Sequence, residues 1–462
     1  MKFSKVVLVL LGSAAIATSC KRNENVYVTP VIDTPKPGGP DTSAVSYILT
    51  GDVSANKSLS NDKVWTLKGY VYVKSGATLT IPAGTIIRSD VVDKGALIIE
   101  PGGKIMAMGT ASAPVVFTSG QVKGQRRPGD WGGIIMLGKA TTNRPTSPAP
   151  VIEGGVDRTY GGSDDNDNSG EMHYVRIEFA GIAAAPNSEI NGLTFGGVGA
   201  GTQIDHIQVS YANDDAYEWF GGTVNCHHMI AWAASDDDYD CDFGFRGNLQ
   251  YGISIKHPQY ADIGDASNGI ELDNDGTGTS AQPYTRPVFS NFTFVGSNSR
   301  ANTQSNHNFA MRIRRSGRVV VRNSAIVGFQ KGGLSLESAA TSDAFVNGQS
   351  EFKNNYIGGV INPFIGGSGS TLTNAQLEAF ALANGNVKVD SVGALKFTDA
   401  MSLKKPNVMP MNGSMLLSGG IVPSFDGVLA NAFFAQANFI GAIGTEDWTA
   451  GWTNWDPNNA DY

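Results

Sequence analysis

Two short segments of this 462-residue chain concentrate acidic side chains at a fixed spacing. ANDDAYEWFGG (212–222) and ASDDDYDCDFG (234–244) superimpose at an offset of 22, pairing Asp214 with Asp236, Asp215 with Asp237, Tyr217 with Tyr239 and Glu218 with Asp240. The same register runs on through NGIELDND (268–275), AMRIRRSG (310–317) and GLSLESA (333–339). It predicts one column of Glu218, Asp240, Glu271, Arg312 and Ser335, and beside it a second of Phe220, Asp242, Asp273, Arg314 and Glu337.

Carboxylates stacked about 4.8 Å apart repel by about 3 kcal/mol at an effective dielectric near 20. A bound cation, a shared proton or the arginines farther along would offset that. Asp240, Asp242, Glu271 and Asp273 offer the carboxylate oxygens that Ca²⁺ prefers. With Glu218, Glu337 and the aromatic face of Trp219 they make a candidate ligand-binding surface. A catalytic reading takes Asp240 and Glu271 as general acid and base, assisted by Arg312 and Arg314. The plainest alternative is a solubilising acidic face. Trp219, Trp232 and Tyr239 have the shape to stack on sugar rings, but aromatics at alternating positions are more often core.

Such columns exist only if successive segments lie directly over one another. A period near 22 made of short strands, with no helix between them, is the signature of a β-solenoid in which each repeat forms one coil. Ile270 and Leu272, Met311 and Ile313, and Leu334 and Leu336 alternate with polar residues, so the apolar set points inward. The 57 glycines and the low content of charged residues, 16%, fit turn-rich β structure. The solenoid is expected over 46–366, with insertions at 139–172, 256–267 and 297–307 looping out on the surface. Residues 367–462 form a C-terminal capping segment with one helix: Thr373 is the N-cap, Gln376 completes a capping box, and Gly385 is the stop. The ending with Trp448, Trp452 and Trp455 is expected to cover the open end or to extend the binding surface.

Residues 1–19 have the layout of a secretion signal: Lys2 and Lys5, an apolar run too short to span a bilayer, then small residues. Cys20, just after them, is a candidate lipidation site, and the proline-containing stretch 20–45 reads as a flexible tether. The formal charge of −8 becomes about −10 without Lys2 and Lys5, which argues against nucleic acid as a partner. Cys226 and Cys241 are equally readable as one disulfide or as two buried thiols. His227 and His228, adjacent on a strand, are expected to face opposite ways and not to share a metal. Asp164, Asn166 and Asp167 resemble the start of a calcium loop, but the twelfth position is Val175, so an EF-hand is excluded. There is no glycine-rich phosphate loop, no Ser-His-Asp order and no paired CxxC.

The signal, GDWGGI (129–134), AYEWFGG, DDDYDCDFG and GTEDWTAGWT (444–453) together resemble a group of Bacteroidetes envelope lipoproteins with a right-handed parallel β-helix. In architecture this group is similar to the pectate-lyase-like superfamily. The resemblance implies anchorage to the outer membrane through Cys20, on its periplasmic or outer side. The group lends a fold and a location rather than a reaction; from the acidic columns the first expectation is capture of a glycan or other anionic polymer, with Ca²⁺ assistance, for a neighbouring outer-membrane transporter. Pectate lyases hold Ca²⁺ with stacked acids and use an arginine near the cleavage point, so a polysaccharide lyase is one alternative. A polygalacturonase-like hydrolase is another, since Arg312-Ile313-Arg314 resembles that family's Arg-Ile-Lys; its Gly-His-Gly, however, is absent here. A structural envelope role is a third.

Overall fold

The computed structural model describes residues 47–462 apart from 186–187, 265, 299–301 and 360, so the signal, Cys20 and the tether lie outside the described residues. Tyr47–Tyr462 form one compact unit. It is a right-handed parallel β-helix. On one face the strands Tyr217–Gly222, Tyr239–Asp242, Ile270–Leu272, Phe309–Ile313 and Gly332–Leu336 pair in parallel, each with the next. A second run, Gln203–Ser210, Asn225–Trp232, Asn248–Ile255 and Val288–Val295, stacks in the same way.

Glu218 lies opposite Asp240, 22 residues on, and Asp205 opposite His227, also 22 on. The next steps are longer: Asp240 pairs with Glu271, 31 on, and Glu271 with Arg312, 41 on, because the insertions are spliced between strands without shifting the register. Period-2 alternation sets that register, since a slip of one residue would turn the whole apolar set outward. Ile270, Leu272, Met311, Ile313, Leu334 and Leu336 are all buried, as their alternation requires.

Aromatic rings stack along the interior. Tyr217 and Tyr239 have centroids 5.3 Å apart, Phe195 and Trp219 5.4 Å, and Trp219 and Phe245 5.1 Å. Each such pair adds about 0.5–1.5 kcal/mol beyond its buried area. Trp219 is therefore a core residue with no accessible face for a sugar, which corrects its assignment to the ligand surface. Cys226 and Cys241 are free thiols in the same core.

The strands of the second run bend at one residue of left-handed backbone per coil: His206 (φ 57°), His228 (φ 50°), Tyr251 (φ 64°) and Asn291 (φ 57°). That conformation costs a non-glycine residue about 1 kcal/mol or more. It also swings each of these side chains off the face that strict alternation would give it, and the rings of His206, His228 and Tyr251 stack in order at one corner.

The C-terminal region departs from expectation in part. Helix Asn374–Ala383 carries the Thr373/Gln376 capping box and buries Leu377 and Ala381 against the core. A second helix, Ala339–Val346, lies earlier, and Met415–Ser418 makes one further turn. The ending does not close the solenoid but doubles back along its flank. Gln250 exchanges hydrogen bonds with the backbone of Ala435 at 2.7 and 2.9 Å, and Gln208 with that of Asn454 at 3.0 and 2.8 Å. Arg126 donates to the Pro457 carbonyl at 2.6 Å. The reason is apolar: Ile230, Trp232, Ile253 and Ile255 project from this flank and are buried under Ile440, Ile443, Trp452 and Trp455.

Candidate functional site

Glu218, Asp240 and Glu271 stand over one another on a single face, with Arg312 next in line. Phe220 faces Asp242, and the Asp273 amide donates to the Cys241 carbonyl at 3.1 Å, which continues the neighbouring column. The column is recessed rather than an open wall: Glu218 is 8% exposed and Glu271 6%. Part of the cover is the 139–172 insertion, which does not loop freely on the surface. Ile152, Val156 and Tyr160 pack on Ala96, Ile98, Ile135 and Phe220 because that upstream outer face is apolar. This packing brings Glu153 into hydrogen bonding with Glu218 and Asn191.

The two ends of the column differ electrostatically. At the downstream end, Arg314 pairs with Glu271 and, at 2.9 Å, with Asp273. Arg315 reaches Asp273 at 2.6 Å, and Arg312 bridges Glu271 at 3.2 Å and Glu337 at 3.1 Å. The oxygens expected from Glu271 and Asp273 for a cation thus already face guanidinium groups. Burial would lower the pKa of Arg314, but Glu271 and Asp273 outweigh it and hold the group above its ordinary value. For Arg312, Glu337 and Glu271 do the same against burial. Neither arginine is poised to lose a proton as a base.

At the upstream end cations act on the acids without pairing with them, Lys256 on Asp236 and Arg144 on Asp242. Among the described residues, no lysine, arginine or histidine forms an ion pair with Asp214, Asp215, Glu218, Asp236, Asp240 or Asp242. Asp215, Glu218 and Asp240 each bring an oxygen within 4.8 Å of the others, and so do Asp214, Asp215 and Asp236. Asp215, 7% exposed, belongs to both groups. One oxygen of Asp236 is buried with no hydrogen-bond partner.

Burial first, then the neighbouring carboxylates, push Asp214, Asp215, Glu218, Asp236 and Asp240 well above the usual range. Burial pushes Glu153 up to about 7. It takes Asp237 to about 6, against the pull of Lys256. Lys256 itself is buried and pairs at 3.2 Å with Asp238, which also accepts from Ser254. Such a group holds protons at low pH, or a multivalent cation in their place.

A family model described as "Pectate-lyase like beta helix domain" matches residues 51–400. The chain belongs to this family. Neither the curated proteins nor the solved structures contain a match. In this pectate-lyase-like β-helix all the acidic groups lie inside the matched span, whereas most of the flank-covering ending lies beyond it.

Strand alternation singles out Asp240, Asp242, Glu271 and Asp273 and is silent on Asp214, Asp215, Asp236 and Asp237 in the turn just before the strands. The signal was there, since those four are two of the pairs that define the offset of 22. Glu153, brought in by an insertion, left no periodic trace.

Proposed function

We propose that this chain is a calcium-dependent binding protein for an acidic glycan of the cell envelope, exported and anchored through Cys20, and serving a neighbouring outer-membrane transporter. The observation that carries the reading is the five carboxylates of Asp214, Asp215, Glu218, Asp236 and Asp240, which cluster about the buried Asp215 and form no ion pair among the described residues. Ca²⁺ takes six to eight oxygens at about 2.3–2.6 Å, and a partly filled sphere leaves positions for the carboxylates of a polymer. Asp215 stands where one ligand serves two cations, Asp214 and Asp236 on one side, Glu218 and Asp240 on the other. Asp242 extends the acidic surface, and the pairs of Arg312 and Arg314 with Glu271, Asp273 and Glu337 close its downstream end. The pectate-lyase-like family supports a carbohydrate as the ligand class.

Titration calorimetry with Ca²⁺, followed by cosedimentation with polygalacturonate in Ca²⁺ or in EGTA, tests this reading. Binding of both that is lost in Asp215→Asn supports it; absence of Ca²⁺ heat at about millimolar concentration rejects it.

A second reading is hydrolysis or lyase chemistry in the same groove. It is favoured by the contact of Glu153, an acid held up at about 7, with Glu218, a second carboxyl that burial also holds in its protonated form. Product release from polygalacturonate that disappears in Glu153→Gln and Glu218→Gln, with retention of the polymer unchanged, would favour it over binding alone.

A further inference from the structure

The left-handed corner of the β-helix builds a second cluster, on another face from the acidic column. His206 and His228 occupy equivalent positions on adjacent coils, their rings stacked at 4.2 Å. Each presents Nδ1 at 2.8 Å from the same oxygen, Oδ1 of Asp205. His228 makes a hydrogen bond there, whereas His206 Nδ1 lies as close but off the line that a hydrogen bond requires. One ligand atom from each of the three residues lies within 4.8 Å of the others.

We propose that Asp205, His206 and His228 form a binding site for a divalent transition metal of the zinc class. Two imidazole nitrogens and a carboxylate oxygen are donors that suit Zn²⁺ and leave a fourth position open. Around an ion with bonds of about 2.0–2.1 Å, tetrahedral ligands lie roughly 3.3 Å apart, so each present 2.8 Å contact has to open by about 0.5 Å. Solvent reaches the cluster, the Asp205 side chain being 33% exposed and that of His228 22%.

Aromatic side chains surround both rings. Tyr174 stacks on His206 at 4.2 Å and Tyr251 on His228 at 5.1 Å, while Trp448 meets both imidazoles edge-on at 5.8 and 4.9 Å. His228 also lines a cleft of about 270 Å³ with Tyr251, Phe439, Thr445, Glu446 and Trp448, so a group bound at the open position has room beside the metal.

The test uses the full chain titrated with ZnCl₂ alone, then with Co²⁺ as a spectroscopic substitute, in excess Ca²⁺ so that the acidic column is occupied. The expected result is one Zn²⁺ per chain, about 100-fold weaker in His206→Ala and His228→Ala, and unchanged in Asp215→Asn. Zinc affinity untouched by either histidine substitution, or lost only in Asp215→Asn, overturns the proposal, as does no binding below about 0.1 mM. If a histidine variant fails to fold, X-ray absorption of the wild-type Zn²⁺ complex decides. Two imidazoles in the coordination shell uphold the site, and an all-oxygen shell overturns it.

Discussion

Replacing Asp240 by Asn keeps the shape of the side chain and removes one charge from the middle of the column. Asp240 is stacked between Glu218 on one coil and Glu271 on the next. With all three ionised, each contact costs about 3 kcal/mol at a spacing near 4.8 Å and an effective dielectric near 20. The raised pKa values mean that part of this repulsion is already relieved by protonation, and Arg312 and Arg314 screen Glu271. The net gain on removing the charge is then on the order of 1–2 kcal/mol in the metal-free protein. Calcium reverses the comparison. Saturated to about 100 times its Kd, the wild type gains about 2.7 kcal/mol from a ligand that binds only the folded state. The variant, lacking one carboxylate ligand, gains less. Guanidinium unfolding in EGTA and in Ca²⁺ reads both arms. Asp240→Asn is expected to be the more stable protein in EGTA and the less stable in Ca²⁺. A variant that is weaker than wild type in EGTA, or that keeps the full Ca²⁺ increment, refutes the reasoning.

The acidic cluster also sets a pH dependence. Glu153 at about 7 and Asp237 at about 6 lie above their unfolded values, so the folded chain binds more protons. Metal-free stability is therefore complete near pH 4 and falls as pH rises through about 6 to 7, a loss that Ca²⁺ should suppress. Melting in EGTA that is flat or rising across that window contradicts the assignment. Trp219→Ala should cost about 3–5 kcal/mol of stability through the cavity it leaves and should not alter the calorimetric Ca²⁺ affinity. A change in affinity with unaltered stability would return Trp219 to the ligand surface. Lys256→Met leaves Asp238 buried without its partner and should cost about 3–5 kcal/mol in urea unfolding, much of it recovered in Lys256→Met/Asp238→Asn. Equal stability of the single and double variants would show that the pair is not the cause.

Much of the architecture was legible in the residues. An offset of 22 repeated in side-chain type, with strict inward alternation at Ile270/Leu272 and Met311/Ile313, leaves stacked parallel coils as the arrangement that buries this alternating apolar set. The same offset placed Glu218, Asp240, Glu271 and Arg312 in one line, because register in a solenoid is local arithmetic. It also linked residues 206 and 228, yet alternation alone hid the meaning of that pair. Strand periodicity assigns each side chain a face and carries no information on a left-handed corner residue, which turns both imidazoles toward Asp205.

Tertiary contacts decided what the exposed face became. Whether an outward carboxylate is a solvated charge or a recessed one depends on what folds over it, and here that is a segment some sixty residues upstream of Glu218, held by Ile152, Val156 and Tyr160. Which acids keep counter-charges depends likewise on the reach of Arg312, Arg314 and Arg315 across neighbouring coils. Periodicity in the chain therefore determined the coils and the columns. Solvent exposure and charge balance, which belong to three-dimensional neighbourhoods, came only with the packing of insertions and the C-terminal strap.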